Sequence, residues 1–289
     1  MASRGRTLVT MLTVLLASAV AAAGPAPCRD AHLLTNPVRE ARAVRCLINR
    51  ERARHGLAAV HHETTTGRIN DIAALGALCK QRGVPLLLDA VSSFGGEEIR
   101  FDEWNLEACA ATANKCLHGV PGIAFVLADA RVFDGAAGAK RTTGATSVYL
   151  DLFRYRKEQV TGSSPFTQSV QALFALQEAL RELEDAGGWT KRHARYRAIS
   201  SRVMEHLRAI GVELMLESPS AYSSILTAYK MPASTTYAKL HDDLKAAGFV
   251  IYAGQGQFSG SIFRIAVMGD LSDGDIDRLV VALKRSISG

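Results

Sequence analysis

The stretch that most constrains the chain is Leu86-Leu87-Leu88, which runs straight into Asp89 and then into Ala90-Val91-Ser92-Ser93. A short continuous apolar run beside turn signals predicts a strand over residues 84–89, buried on both faces of a parallel sheet. In open α/β sheets chemistry sits just past the carboxyl ends of such strands, which makes Asp89 a candidate functional carboxylate. Lys115 follows it by 26 residues, after the small-residue segment 108–112 and beside Asn114. It is expected at the end of a neighbouring strand. Alone, the aspartate reads as a turn cap and the lysine as a surface residue. Their combination with a polar turn at residues 61–67, the Ser92-Ser93 step and the turn Gly119-Val120-Pro121-Gly122 points instead to a site.

The rest of the chain alternates strand and helix signals, as in a layered α/β fold. Residues 1–23 read as a signal-like segment, with Arg4 and Arg6 before the apolar stretch 8–20, which is too short to span a membrane of about 20 residues. Residues 24–60 form a basic arm whose predicted helix, 38–55, places Ala41, Val44, Leu47 and Ile48 on one face. A helix carrying Ile72, Leu75 and Leu78 in its apolar stripe precedes the Asp89 strand, and residues 123–128 form another buried strand. A long helix is expected from Ser164 onward, with Val170, Leu173, Leu176 and Leu180 on its inner side, ending at Gly187-Gly188. A second long helix spans 191–210. Strand candidates at 212–216, 224–229, 250–252 and 262–267 and helix candidates at 237–247 and 273–286 make a smaller α+β domain. The expected division is therefore 1–23, 24–60, a partial large domain 61–187 and a small domain 188–289.

A chain of 289 residues, 48% of them apolar, can bury a sizeable core. The net charge of +6 is concentrated in the arginines of the first third. They lack aromatic interleaving, so a solvated helix face is expected there and no nucleic-acid partner. None of the five cysteines forms a CxxC, and no metal site is expected. His118, after Lys115, is expected to be a structural turn residue.

Three stretches resemble the class V (fold type I) aminotransferases: His62-Glu63-Thr64-Thr65-Thr66-Gly67, Leu88-Asp89-Ala90-Val91-Ser92-Ser93-Phe94-Gly95, and Ala113-Asn114-Lys115-Cys116-Leu117-His118-Gly119-Val120-Pro121-Gly122. The likeness continues through residues 252–256 and 263–271. It implies pyridoxal 5'-phosphate (PLP) as cofactor and an N-terminally truncated large domain of fold type I, with a mostly parallel sheet, plus a small α+β C-terminal domain. By the same resemblance Asp89 would pair with the pyridine nitrogen and Lys115 would be the Schiff-base lysine. Thr64 would bond the ring hydroxyl region and Asn114 would help seat the phosphate. Thr167 would reach the phosphate in a neighbouring subunit, implying a homodimer. Arg264 would hold the substrate's carboxylate or phosphonate, a bidentate task suited to guanidinium.

The implied reaction moves an amino group from 2-aminoethylphosphonate to pyruvate. Alternatives are an alanine–glyoxylate or serine–pyruvate type transaminase, or an inactive chimeric fragment, since residues 24–60 resemble the opening helix of secreted CAP-superfamily domains. The catalytic body is expected in the cytoplasm, although the signal-like start would predict export. No membrane partner is expected.

Overall fold

The computed structural model describes residues 66–133 and 147–288, together with the backbone of Thr7–Thr10. The basic arm expected at 24–60, with its helix at 38–55, lies outside the described residues. Thr7–Thr10 (β1) falls inside the segment expected to be signal-like and is an edge strand, antiparallel to β4.

The first sheet has the order β1-β4-β3-β2, with β2 at Leu86–Asp89, β3 at Leu106–Thr112 and β4 at Ala124–Ala128. The expectation of a mostly parallel sheet holds in these strands only for the β2–β3 pair; β3–β4 and β1–β4 are antiparallel. The loop 113–123 joins β3 to β4 without a helix, and a parallel return would need a crossover, usually helical, of a dozen or more residues. Nor is β2 buried on both faces. Among the described residues it pairs on one side only, and Leu87 is 55% exposed.

Helix α1 (Ile72–Gln81) starts where Asp71 accepts the Ala74 N–H at 2.9 Å, an ordinary N-cap. Its expected apolar stripe is not its packing face: Leu75 and Leu78 are 45% and 47% exposed. The buried contact is Gly76, whose missing side chain lets the helix lie against the Trp104 carbonyl. Helix α2 (Leu152–Val160), capped by Asp151, has little apolar periodicity and is not foreseen by the sequence reading. Helix α3 (Val170–Asp185) begins later than expected and packs through Ala172, Leu176 and Ala179. Val170 and Leu180 stay exposed, because the small alanines permit the closer approach to the sheet.

Helix α4 (Gly188–Ala209) leads to the second sheet, of order β5-β7-β6 and wholly antiparallel, with β5 at Leu226–Lys230, β6 at Tyr252–Ala253 and β7 at Ile262–Ala266. The strand expected at 212–216 is reduced to a single bridge, Leu214 to Tyr229. Helices α5 (Tyr237–Ala246) and α6 (Asp273–Ser288) cover this sheet together with α4. Among the described residues the two largest apolar cores are distinct. One joins α3 to β3 and β4; the other joins α4, α5 and α6 to the second sheet. No described helix is long and apolar enough to cross a membrane.

Candidate active site

The site begins where β2 stops. Asp89 pairs in register with Ala110, and the Ala90 N–H donates to the Ala110 carbonyl at 2.8 Å, so the parallel ladder carries the chain to the sheet's carboxyl end. There Asp89 is exposed, and its Oδ1 accepts the Val91 N–H at 3.0 Å. That bond caps the turn and fixes the carboxyl group's direction.

The lysine turn follows β3. The Ala113 N–H donates to Ile123 at 3.1 Å, the Gly119 N–H to Ala113 at 2.8 Å and the His118 N–H to Lys115 at 2.9 Å. His118 closes the turn in the left-handed region at φ +64, which a non-glycine residue adopts only under local constraint. Lys115 is half-buried, and Asn114, exposed, accepts the Thr112 hydroxyl at 2.8 Å. The two residues after Lys115 enter different cores: Cys116 packs with the α4 core and Leu117 with the α3 core. The turn is thus seated on both.

The loop that follows Asp89 and the turn that carries Lys115 touch one another. The Cys116 thiol donates to the Ser92 carbonyl at 3.4 Å. A Cβ on Gly96 would stand 3.0 Å from the Cys116 sulfur, and one on Gly95 would stand 2.9 Å from the Leu117 side chain. Only glycines allow this approach. Burial pushes both the Cys116 and Cys109 thiols up to about 12, with the charges of Glu97 and Asp89 respectively adding to the effect. Neither is a thiolate nucleophile.

A polar network behind the loops escaped the sequence reading. Glu97, 7% exposed, accepts from the Ser224 N–H at 2.6 Å and the Ser224 hydroxyl at 2.8 Å, and its other oxygen lies 3.1 Å from His193 Nδ1. Next to His193, Arg192 Nη1 donates to the Cys116 carbonyl at 2.7 Å, and one turn on, the Tyr196 hydroxyl bonds His118 Nε2. Burial, then the charge of Arg192, lowers the pKa of His118, against the opposing pull of Asp270. Burial pushes the Tyr196 phenol up to about 12, while the Gly269 backbone beside its hydroxyl acts the other way. The only local signal was the position of these residues in the first turns of a long helix.

The remaining expected residues are dispersed. Arg264 sits half-buried on β7, its Nε donating to the Ala253 carbonyl at 2.9 Å. Burial lowers its pKa from the usual arginine value. Its neighbours Ile262, Phe263 and Ile265 are buried, whereas Ala266 is exposed. Thr167 is exposed in the segment leading into α3. Thr64 lies outside the described residues.

The donor set suits a phosphorylated pyridine aldehyde. A carboxylate at a strand's carboxyl end suits a ring nitrogen, and a half-buried primary amine on the adjoining loop suits a carbonyl carbon. Ala90 and Ala113, both fully buried, keep bulk away from the space beside them. Asn114, directly before Lys115, carries a side-chain amide of the kind that suits a phosphate. Among the described residues no group of His, Cys, Asp or Glu is arranged to hold a metal ion.

A family model described as aminotransferase class-V matches residues 30–255, taking in most of the stretch likened above to a CAP helix. A 2-aminoethylphosphonate–pyruvate transaminase from Aeromonas hydrophila is 38% identical over 249 residues, 84% of this chain and 63% of that protein. One from Lactiplantibacillus plantarum is 37% identical over 231 residues, 78% of this chain and 61% of that protein. The chain therefore spans a little over three fifths of the length of these curated relatives. Among solved structures, a ureidoglycine–glyoxylate aminotransferase from Bacillus subtilis superposes with a TM-score of 0.70 at 27% identity, covering 79% of this chain and 59% of that one. A pyridoxamine–pyruvate aminotransferase from Mesorhizobium loti gives 0.66 at 26% identity, covering 79% of this chain and 58% of that one.

Proposed function

The chain belongs to the class-V aminotransferase family, and from that premise we propose that it moves an amino group from 2-aminoethylphosphonate to pyruvate, giving phosphonoacetaldehyde and alanine, with PLP as cofactor. Bound at the site, the cofactor supplies an electron sink for bond breaking next to the amino group. The protein supplies the rest. Asp89 holds a proton on the ring nitrogen. The Lys115 amine anchors the cofactor and moves a proton to and from the substrate carbon. Asn114 and Thr167 hold the phosphate, Thr64 the ring hydroxyl, and Arg264 the substrate's phosphonate or carboxylate.

The observation that carries this reading is the joining of the Asp89 and Lys115 loops through Cys116 and Ser92. Relatives named for this reaction, at 38% and 37% identity, favour the donor and acceptor. We place Thr167 at the cofactor of a second subunit. Val170 and Phe174, one turn apart on the outward face of α3 and both exposed, supply apolar surface for such a homodimer. The buried free thiols Cys109 and Cys116 suit a reducing compartment, which supports a cytoplasmic location for the catalytic body.

The test offers the protein, with added PLP, a panel of amino donors and keto acids. The reading expects alanine from 2-aminoethylphosphonate and pyruvate at rates well above those with serine or with alanine and glyoxylate. Preference for glyoxylate would move the assignment to the alanine–glyoxylate type, and no transfer with any pair would reject it.

A further inference from the structure

Resting on the assignment of Lys115 as the cofactor's amine, we propose that Arg192 and Tyr196 of α4 are positioning residues that hold the lysine turn in its reactive form. The two side chains lie one helical turn apart on the same face of α4. Each reaches the lysine turn on the carboxyl side of Lys115. Arg192 takes the Cys116 carbonyl at 2.7 Å, and Tyr196 takes the His118 ring.

The turn needs such support. His118 has a left-handed backbone, and that conformation is kept in a non-glycine residue only where its surroundings determine it. The turn's own backbone bonds close it at Lys115–His118 and Ala113–Gly119, but they leave the Cys116 carbonyl to the arginine. Tyr196 is 1% exposed, and its ring would lie 3.2 Å from a Cβ placed on Gly96. It therefore wedges between the lysine turn and the loop that follows Asp89. His193, between the two, donates its Nδ1–H to the Gly96 carbonyl at 3.0 Å and faces Glu97. One helical stretch thus touches both loops of the site, and losing either grip frees the Lys115 backbone to leave its place relative to Asp89. Neither residue is required to touch cofactor or substrate.

The test reads the rate at which PLP is fixed on Lys115, followed by borohydride reduction and mass mapping of the modified lysine, alongside thermal unfolding. Arg192→Leu and Tyr196→Phe are each expected to slow labelling of Lys115 by about tenfold or more, the order of loss that follows misplacement of a reacting group. Arg192→Lys, which keeps a donor for the Cys116 carbonyl, is expected to restore most of the rate. Tyr196→Phe keeps the ring that fills the space beside Gly96, so it carries the test if Arg192→Leu unfolds. If Lys115 of the unaltered protein is not labelled in preference to other lysines, the functional reading fails and this proposal falls with it. If Lys115 is labelled but the variants react at the unaltered rate, or slow only in step with lost folded protein, the positioning role alone is overturned.

Discussion

Glu97 accepts both the backbone N–H and the hydroxyl of Ser224, a residue 127 positions further along the chain, at 2.6 and 2.8 Å. The pair ties the loop after Asp89 to the start of the second sheet. Ser224 is fully buried, and its carbonyl accepts the Ser200 hydroxyl of α4 at 2.7 Å. Truncating the carboxylate leaves a buried N–H without an acceptor and leaves the Ser224 hydroxyl only the Gly96 carbonyl, 3.4 Å away.

Glu97→Ala is therefore expected to cost about 3 kcal/mol, the scale for losing a hydrogen-bonded charged group and stranding a buried donor. Glu97→Gln keeps one acceptor oxygen and is expected to cost roughly half of that. Urea unfolding of the two variants checks the order; equal and small losses would contradict it.

Gly76→Ala sets two effects against each other. Within a helix the change favours alanine by about 1 kcal/mol. Here the new Cβ would lie 2.1 Å from the Trp104 carbonyl oxygen, a backbone atom that cannot step aside. Overpacking of this kind costs about 1–3 kcal/mol or more, so the clash wins and the variant melts below the parent protein.

The apolar face of α1 is not the one that packs. Leu78→Ser, at a position 47% exposed, is expected to change stability by about 0.5 kcal/mol or less. Leu176→Ala, at 6% exposure on the buried face of α3, is expected to cost about 2–5 kcal/mol. Denaturant midpoints of the two variants give the comparison.

His118 ties stability to pH. Its folded pKa lies below the ordinary histidine value, because burial and Arg192 disfavour the charged ring. The unfolded chain therefore binds the proton more readily. The contribution is fully present above about pH 6.5 and is lost as pH falls through the lowered folded value. His118→Asn accepts the left-handed backbone and does not titrate. It is expected to flatten that part of the stability curve, as measured by urea unfolding across a pH series.

The places of Asp89 at the end of β2 and of Lys115 just past β3 were legible in the sequence, because each lies in a short local motif beside a recognisable strand. The Glu97–Ser224 and Arg192–Cys116 contacts were not, because they join residues 127 and 76 positions apart and no local pattern encodes such pairs. The stripe of α1 misled for a related reason. Ile72, Leu75 and Leu78 have helical spacing, yet the buried contact is made by a glycine, which leaves no mark in hydrophobic periodicity. The Leu86–Leu88 run read as doubly buried, but its position at the end of the described strands depends on which strands pair, and one strand's composition does not record that.

The central claim is that Lys115 is the amine that takes up the cofactor. The most direct measurement is the visible absorbance of the purified protein after incubation with PLP and removal of excess. A protein-bound chromophore is expected in the unaltered chain and in Lys80→Ala, and none in Lys115→Ala. An unaltered chain that stays colourless, or a Lys115→Ala variant that colours like its parent, would contradict the claim.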